Sequence, residues 1–184
     1  MRRVRRQDLL DWATYADRRA ALRAEAMAAK DARRVHAGEH LTFLFESFET
    51  VRYQIQEMMR AEKIVREEDI AHEIETYNEL LGGVGELGCT LLIEIEDGAA
   101  RATKLREWLA LPEHVYVALS DGRKVFARFD ERQRGIDRVS SVQYLKFDTQ
   151  GETPVAVGSD LPQLAVEARL DEAQRAALAK DLAN

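Results

Sequence analysis

The stretch HEIETYNELLGGVGELGCTLLIEIED, from His72 to Asp97, changes its periodicity in the middle. Its first part carries apolar residues at the three- and four-residue steps of an amphipathic helix. Glycines then interrupt the pattern, and apolar residues return at every second position, which is the period of a β-strand. The stretch therefore predicts a helix that leads through a glycine-rich loop into a strand.

The glycine-rich loop raises the question of a phosphate site. Phosphate-binding loops follow a strand and open a helix, because the helix amino terminus presents free N–H groups and the positive end of the dipole. Here the order is reversed, so the negative end of the helix faces the glycines. We therefore interpret Gly82 as a helix C-cap in the left-handed conformation and the loop as a connection.

Three helices are predicted before the strand. They run from about Asp8 to Ala29, from about Leu41 to Ala61 and from about Glu67 to Leu81. The first has a narrow stripe of mostly small residues, namely Leu9, Ala13, Ala16, Ala20, Ala24 and Met27. The second has a face of large residues, namely Leu41, Leu44, Phe48, Val51, Ile55 and Met58. Because its stripe buries little area, the first helix is expected to dock on a neighbouring subunit or on the flank of the second.

The rest of the chain is rich in strand signals. Two β-rich runs, 114–119 and 124–129, flank Asp121-Gly122, a dipeptide that favours a tight antiparallel hairpin. Further strands are predicted at 139–148, 153–157 and 164–170. Helices are predicted at 99–109, capped by Asp97, and from Asp171 to about Leu182. This order predicts an α+β fold, with N-terminal helices packed on a mixed or antiparallel sheet of about five strands and a C-terminal helix.

Length and composition narrow the class of protein. The 184 residues predict a single domain, 1–184, with an arginine-rich helical arm at 1–35 and an α+β core at 36–184. The single cysteine, Cys89, excludes an intramolecular disulfide and a cysteine-based metal centre. No stretch reaches the ~20 apolar residues of a membrane span, so we expect a cytoplasmic protein without a membrane partner.

The net charge of -6 argues against nucleic acid as a partner. The arginines of the first helix are instead expected to lie in solvent or to pair with an acidic surface. Self-association into a homo-oligomer, or binding to another protein, is the expected mode of interaction.

A metal site is one hypothesis for function. Glu49 on the second helix, and His72 and Glu75 on the third, are of the ligand types that hold di-iron centres in helical bundles. However, Asp69 and not glutamate stands three residues before His72, so the Glu-x-x-His spacing is missing. On each helix the polar residues at helical steps form a column, namely Glu46, Glu49, Tyr53 and Glu57 on the second helix and Glu68, His72, Glu75 and Glu79 on the third. Both columns lie opposite the apolar faces and should point to water. We therefore expect no metal and no cofactor, with Glu49, His72 and Glu75 as the ligands if this orientation is wrong.

A ligand pocket is the other hypothesis. Arg52 and Gln56 border the apolar face of the second helix. They are predicted to meet Asn78, or Gln143 and Tyr144 of the strand at 139–148, in a half-buried pocket suited to an anionic ligand. The alternative is that Arg52 pairs with carboxylates of its own helix at the surface. No catalytic residue is assigned, since no Gly-x-Ser-x-Gly elbow is present.

Four ordered blocks of the chain resemble a known family. They are LTFLFESFETVRYQIQEMMRAEKI, IAHEIETYNELL, TLLIEIED and VSSVQYLKF. In this order, with a likeness over nearly the whole chain, they are similar to the bacterial family known as domain of unknown function 3501. The genes of that family often lie beside those of rubrerythrin and an iron–sulfur oxidoreductase. The resemblance therefore implies, by association, a redox or peroxide-defence context.

The chain departs from the family pattern at three positions. Glu79 stands where a proline is expected, and Leu161 and Leu164 stand where a His-Pro-x-Tyr-like segment has its histidine and tyrosine. An activity that depends on those two side chains would lack them here. The patterns favour a non-catalytic accessory or interaction protein. The alternative is a small enzyme or ligand-binding protein with a polar pocket for an anionic small molecule between helix 41–61 and the sheet, with or without a metal.

Overall fold

The computed structural model describes residues 2–130 and 135–183, and its strands form two antiparallel sheets. The helices are α1 (Trp12–Asp31), α2 (Phe48–Ala61), α3 (Glu67–Asn78), α4 (Gly98–Glu107), α5 (Leu111–His114) and α6 (Glu172–Ala183). The strands are β1 (Arg34–Ala37), β2 (Leu41–Phe45), β3 (Glu86–Ile93), β4 (Val115–Ala118), β5 (Lys124–Phe126), β6 (Arg128–Phe129), β7 (Val142–Asp148), β8 (Ala156–Ser159) and β9 (Val166–Arg169). The predicted α+β class is confirmed, with more strands than the five expected.

The two sheets face each other across the main apolar core. The first sheet has the order β1-β2-β3-β7-β6 and the second the order β5-β4-β8-β9. Alternate residues of β3, namely Leu87, Cys89, Leu91 and Ile93, are buried in a core that also contains Val115, Val117 and Val157 of the second sheet. Only Ala127 separates β5 from β6, so the chain passes directly from one sheet to the other. The period of two read in the sequence therefore reports burial between sheets.

A second apolar core lies among the amino-terminal helices. It is formed by Val51, Ile55 and Met59 of α2, Ile70 of α3 and Leu81, together with Val4 and Leu9. Along β7, Gln143, Leu145 and Phe147 are buried and alternate with more exposed residues. Tyr144 lies on that other face, beside residues of α3. The helices thus cover the face of the first sheet that points away from the second sheet.

Residues 41–45 form a strand, and the prediction of one helix over 41–61 is wrong there. β2 pairs with β1 through Val35↔Phe43 and with β3 through Phe43↔Leu91, and every one of its residues is buried. A short apolar run fits a buried strand and a buried helix equally well, so its periodicity alone misleads. α2 begins after Ser47, whose Oγ accepts a hydrogen bond from the Thr50 N–H at 3.3 Å. That capping pair is the signal that marks the true start.

The first helix packs on α2, the second of the two docking places predicted for it. Its buried residues are Tyr15 and Ala26, whereas Ala13, Ala16, Ala20 and Ala24 are exposed. The predicted stripe of small residues is therefore not its packing face. α1 also begins later than expected, at Trp12, where the Asp11 carboxylate accepts from the Thr14 N–H at 3.0 Å. The face with Tyr15 packs in preference to the alanine stripe because one large aromatic side chain buries more area than a row of alanines.

The predicted hairpin is confirmed. β4 and β5 pair antiparallel through Val117↔Val125, and Gly122 in the turn has a φ of 87°. The second run splits, however, because Arg128 and Phe129 pair with β7 in the other sheet. The predicted caps at Asp97 and Asp171 are also confirmed, since each carboxylate accepts a backbone N–H at 2.7 Å.

The glycine-rich loop connects α3 to β3, but Gly82 does not adopt the left-handed conformation predicted for it. The positive φ in this loop belongs to Gly85, at 71°. Gly82 and Gly88 are needed for close backbone approach. A Cβ on Gly82 would lie 2.1 Å from the Glu86 carbonyl oxygen, and a Cβ on Gly88 would lie 1.8 Å from that of Leu80. The loop therefore folds tightly against the start of β3.

Candidate functional site

A cleft of about 700 Å³ opens between α3 and the β6–β7 edge of the first sheet. We call it the α3 cleft. It is lined by Thr76, Tyr77, Glu79, Leu80, Cys89, Arg128, Phe129, Asp130, Tyr144, Leu145 and Lys146. Its size falls within the ~300–1,000 Å³ that is usual for small-molecule sites.

Local structure explains which side chains reach the α3 cleft. Tyr144 and Lys146 are two residues apart on β7, so both point to the face that α3 covers. Tyr77 comes from the last turn of α3, where burial raises its pKa and Glu73 adds to the rise. Tyr144 is 47% exposed, although most side chains of its strand are covered. An aromatic ring is thus presented on each wall.

The two cations that line the α3 cleft, Arg128 and Lys146, differ in whether a carboxylate pairs with them. Arg128 forms an ion pair with Glu86, whose carboxylate also accepts the Gly83 N–H at 2.9 Å. Burial acts to raise the pKa of Glu86, but the Gly83 N–H and Arg128 outweigh it, so this pKa is lowered. Lys146, in contrast, forms no salt bridge within the described part of the chain, and its charge acts on Glu86 at longer range, where it helps to lower that pKa. Lys146 is therefore the cation that can meet a ligand.

Cys89 is among the residues that line the cleft, and it is buried. Burial raises the pKa of its thiol well above the ordinary value, and the nearby Glu46 carboxylate adds to the rise. Because the thiolate is the nucleophilic form, this side chain is held in its unreactive state.

Two of the five predicted ligand-binding residues bind backbone instead of lining the cleft. Asn78 accepts from the Val4 N–H and donates to the Val4 carbonyl, both at 2.9 Å. Gln56 accepts from the Leu10 N–H at 2.6 Å and donates to the Leu10 carbonyl at 3.3 Å. Both amides are buried, so they hold the amino-terminal segment against α2 and α3.

The other three predicted residues are dispersed. Tyr144 lines the α3 cleft. Gln143 points into the core between the sheets, where its amide donates to the Ser140 and Val142 carbonyls at 3.0 Å each. Its Oε1 has no hydrogen-bond partner among the residues described. The Arg52 guanidinium lies 5.5 Å from the centre of the Phe48 ring. Among the described residues it forms no salt bridge with Glu49 or Glu57, and Glu57 pairs with Arg19 instead.

The sequence reasoning missed Tyr77 and Lys146 as cleft residues. The position of Lys146 could have been predicted from its spacing. It stands two residues after Tyr144 on a predicted strand, so both side chains lie on the same face. The position of Tyr77 at the cleft wall depends on how far α3 covers the sheet, which no local pattern encodes.

The three residues named as possible metal ligands are also placed. Glu49 is half-buried near Arg33, while His72 and Glu75 are exposed on α3. Burial acts to raise the pKa of Glu49, yet hydrogen bonds and Arg33 lower it on balance. Within residues 2–130 and 135–183, no group of three His, Cys, Asp or Glu side chains is arranged to hold a metal ion.

The polar column predicted on the second helix does not point to water throughout. Glu46 is buried, and its carboxylate accepts from the Thr50 and Thr90 hydroxyls at 2.6 and 2.7 Å. Glu57 accepts from Tyr15 and Arg19 of α1. The prediction that Glu46 and Glu57 point to water is wrong, because another element covers the face that periodicity assigns to solvent.

Leu161 and Leu164 are buried in the core between the sheets. Both replace residues that the family resemblance led us to expect, and here they supply apolar packing around a short helical turn, Pro162–Leu164.

No helix in the described part of the chain is long and apolar enough to span a membrane.

The fold and the cleft define a class: an α+β protein with a two-sheet core, a layer of amino-terminal helices and an open cleft between them. The chain belongs to the family described as protein of unknown function (DUF3501), whose model matches residues 3–182. A crystal structure of a novel protein of unknown function from Burkholderia pseudomallei K96243 is similar, with a TM-score of 0.88 and 32% identity. The match covers 98% of this chain and 100% of that one. A comparison with curated proteins found no match.

Proposed function

We propose that this chain is a non-catalytic binding protein whose α3 cleft holds an anionic small molecule with an aromatic or apolar part. The observation that carries the proposal is Lys146, a cation without a salt bridge among the described residues, which lines a cleft of about 700 Å³ together with Tyr77 and Tyr144. The sequence patterns predicted such a ligand between helix 41–61 and the sheet, whereas the cleft lies beside α3.

The chemistry of the walls supports this ligand class. An ammonium group inside a partly enclosed cleft attracts an acidic group more strongly than it does in open water. Phenol rings contribute apolar area at small entropic cost, and each also has a hydroxyl for hydrogen bonding. Glu79 and Asp130 at the walls disfavour a ligand with several negative charges. A monoanion with a ring fits these groups best.

The residue types support binding over catalysis. No histidine is among the described residues that line the α3 cleft. Cys89 is kept as a thiol by burial. Neither a histidine base nor a thiolate nucleophile is therefore available in this set of side chains. The proposed binding role does not depend on the redox or peroxide-defence context that the family resemblance implies.

The proposal is tested with 8-anilinonaphthalene-1-sulfonate, a fluorescent aromatic monoanion. Titration into the wild-type protein should give saturable binding, and Lys146→Gln and Tyr144→Ala should each weaken it by about tenfold, a loss expected for one charge or one ring. Lys63→Gln is the matched control, since Lys63 is an exposed lysine outside the cleft. Equal binding by all four proteins would refute the proposal.

Native mass spectrometry of untagged protein is the complementary measurement. It would show a retained ligand as added mass, and that mass should be reduced in Lys146→Gln. The same spectrum reports the subunit number, and so tests the predicted self-association.

A further inference from the structure

The amino-terminal residues 2–10, which we call the strap, lie in a groove between α2 and α3. The strap is extended at Arg5 and Leu9, with one short helical turn at Arg6–Asp8 between them. It precedes α1 and joins no strand of either sheet. The groove therefore binds a segment whose backbone has no partner strand of its own.

The groove binds the strap backbone through hydrogen bonds from two side-chain amides. Asn78 of α3 bonds both the N–H and the carbonyl of Val4, and Gln56 of α2 bonds both groups of Leu10. A carboxamide satisfies one donor and one acceptor of the same residue, as a neighbouring strand would do. This mode of contact recognises an extended peptide whatever its side chains.

Side chains then set which peptide fits. Val4 and Leu9, five positions apart, are 2% and 6% exposed, and they pack in the helical core with Val51, Ile55, Met59, Ile70 and Leu81. Arg6 contacts the Glu67 carboxylate through two hydrogen bonds, at 2.8 and 2.9 Å. Arg3, which precedes the first anchor, and Gln7, which lies between the two anchors, are exposed. The contacts select a basic segment with two aliphatic anchors.

We propose that the groove between α2 and α3 is a peptide-docking site, filled here by the chain's own strap, and that the strap leaves it without unfolding α2 and α3. The helices keep their own contacts when the strap is gone, because α3 also packs on α2 and α2 on α1. The ligand class is a short basic peptide with aliphatic residues five positions apart. This site is separate from the α3 cleft, so it stands whether or not that cleft binds a small molecule.

Binding in trans tests the proposal. In the full-length chain, Val4→Asp with Leu9→Asp should release the strap, because each carboxylate would be buried. A fluorescein-labelled peptide with the sequence of residues 2–11, RRVRRQDLLD, should bind this variant at least about tenfold more tightly than it binds the wild type, whose tethered strap competes at high effective concentration. Adding Asn78→Ala to the variant should abolish the gain.

Two controls separate docking from attraction between a basic peptide and an acidic protein. Arg3→Asp alters an exposed strap residue and should leave the groove occupied. A peptide carrying Val4→Ser and Leu9→Ser keeps the charge and should lose binding. If a folded double variant binds the peptide no better than the wild type does, or binds both peptides equally, the proposal is wrong.

Hydrogen exchange of the wild-type protein covers the case in which the double variant does not fold. The Val4 and Leu10 N–H groups donate directly to Asn78 and Gln56, so they report strap release. They should exchange at least about tenfold faster than the Ile55 amide in the centre of α2, as expected for a segment that opens locally. Equal rates would mean that the strap leaves only on global unfolding and would overturn the proposal.

Discussion

Glu57 joins α1 to α2 through two side chains of α1. The Tyr15 hydroxyl donates to its carboxylate at 2.6 Å, and the Arg19 guanidinium donates at 2.8 and 2.6 Å. Arg19 lowers the pKa of Glu57 to about 2, and Tyr15 adds to the effect while partial burial opposes it. Burial and Glu57 together raise the pKa of Tyr15, so its proton stays in place as the donor.

Replacing Glu57 by glutamine should therefore destabilise the protein in a pH-dependent way. A carboxyl group with a lowered folded-state pKa stabilises the fold above its unfolded value of about 4.3, and this contribution is lost as the pH falls toward about 2. We expect Glu57→Gln to lower the free energy of unfolding by about 1.5–3 kcal/mol near neutral pH, the range for hydrogen bonds to charged groups. Near pH 3 the loss should be smaller. Urea unfolding at both pH values measures it.

The control for this experiment is Glu75→Gln, an exposed carboxylate on α3. It should change the free energy of unfolding by less than about 0.5 kcal/mol at either pH. A loss in Glu57→Gln that is the same at both pH values would contradict the assigned role of the charge.

At the scale of elements, a buried ion pair ties the end of α1 to α6. Arg33 donates to Asp181 at 2.6 and 2.8 Å, and both side chains are less than a tenth exposed. Arg33 also donates to the Ala29 carbonyl at 3.0 Å. Burial raises the pKa of Asp181, and Arg33 opposes that rise. The pair joins residues 148 positions apart, which no local pattern encodes.

Breaking this pair should cost more than replacing it. Asp181→Ala leaves the Arg33 charge buried and should lower the free energy of unfolding by about 3–5 kcal/mol, whereas Arg33→Met with Asp181→Leu should recover most of that loss. Asp31→Ala, which removes an exposed carboxylate paired with Arg34, is the control and should have little effect. Thermal and urea unfolding of the four proteins give these differences. A double variant as unstable as Asp181→Ala would contradict the account.

At the scale of the whole molecule, two apolar cores share the first sheet. One face of that sheet packs on the second sheet around Trp108, and the other carries the helices around Ile55. Because the buried Glu46 carboxylate accepts from Thr50 of α2 and Thr90 of β3, the helices and the sheet are linked, and the two cores should lose their packing together. The single domain predicted from the chain length is thus a proposal that the whole chain unfolds in one cooperative transition.

Unfolding followed by two probes tests that proposal. Trp12→Phe leaves Trp108 as the one tryptophan, so fluorescence reports the core between the sheets while far-UV circular dichroism reports the helices. The two urea transitions should coincide. Ile55→Ala in this background should destabilise both by the same amount, about 2–5 kcal/mol. A dichroism transition that moves while the fluorescence transition stays would divide the molecule into two units.

The sequence by itself determined those elements whose signals lie within a few residues. The capped helices after Asp97 and Asp171, the hairpin at Gly122 and the alternation of β3 were all readable, because hydrogen bonds and allowed φ angles act over short spans. Four ordered blocks also led to the correct family. Of the residues that line the candidate site, the sequence predicted Tyr144 alone, and whether it contacts a ligand stays a prediction.

The tertiary structure alone decided which neighbour each surface meets. Residues 41–45 are a strand because β1 and β3 pair with them on both sides. A run of apolar residues does not by itself indicate which strands will pair with it. Gln56 and Asn78 were predicted to line a ligand pocket, but they bond to backbone groups that lie 46 and 74 residues away. Periodicity reports which face is covered and not what covers it, since burial is a property of the assembled chain.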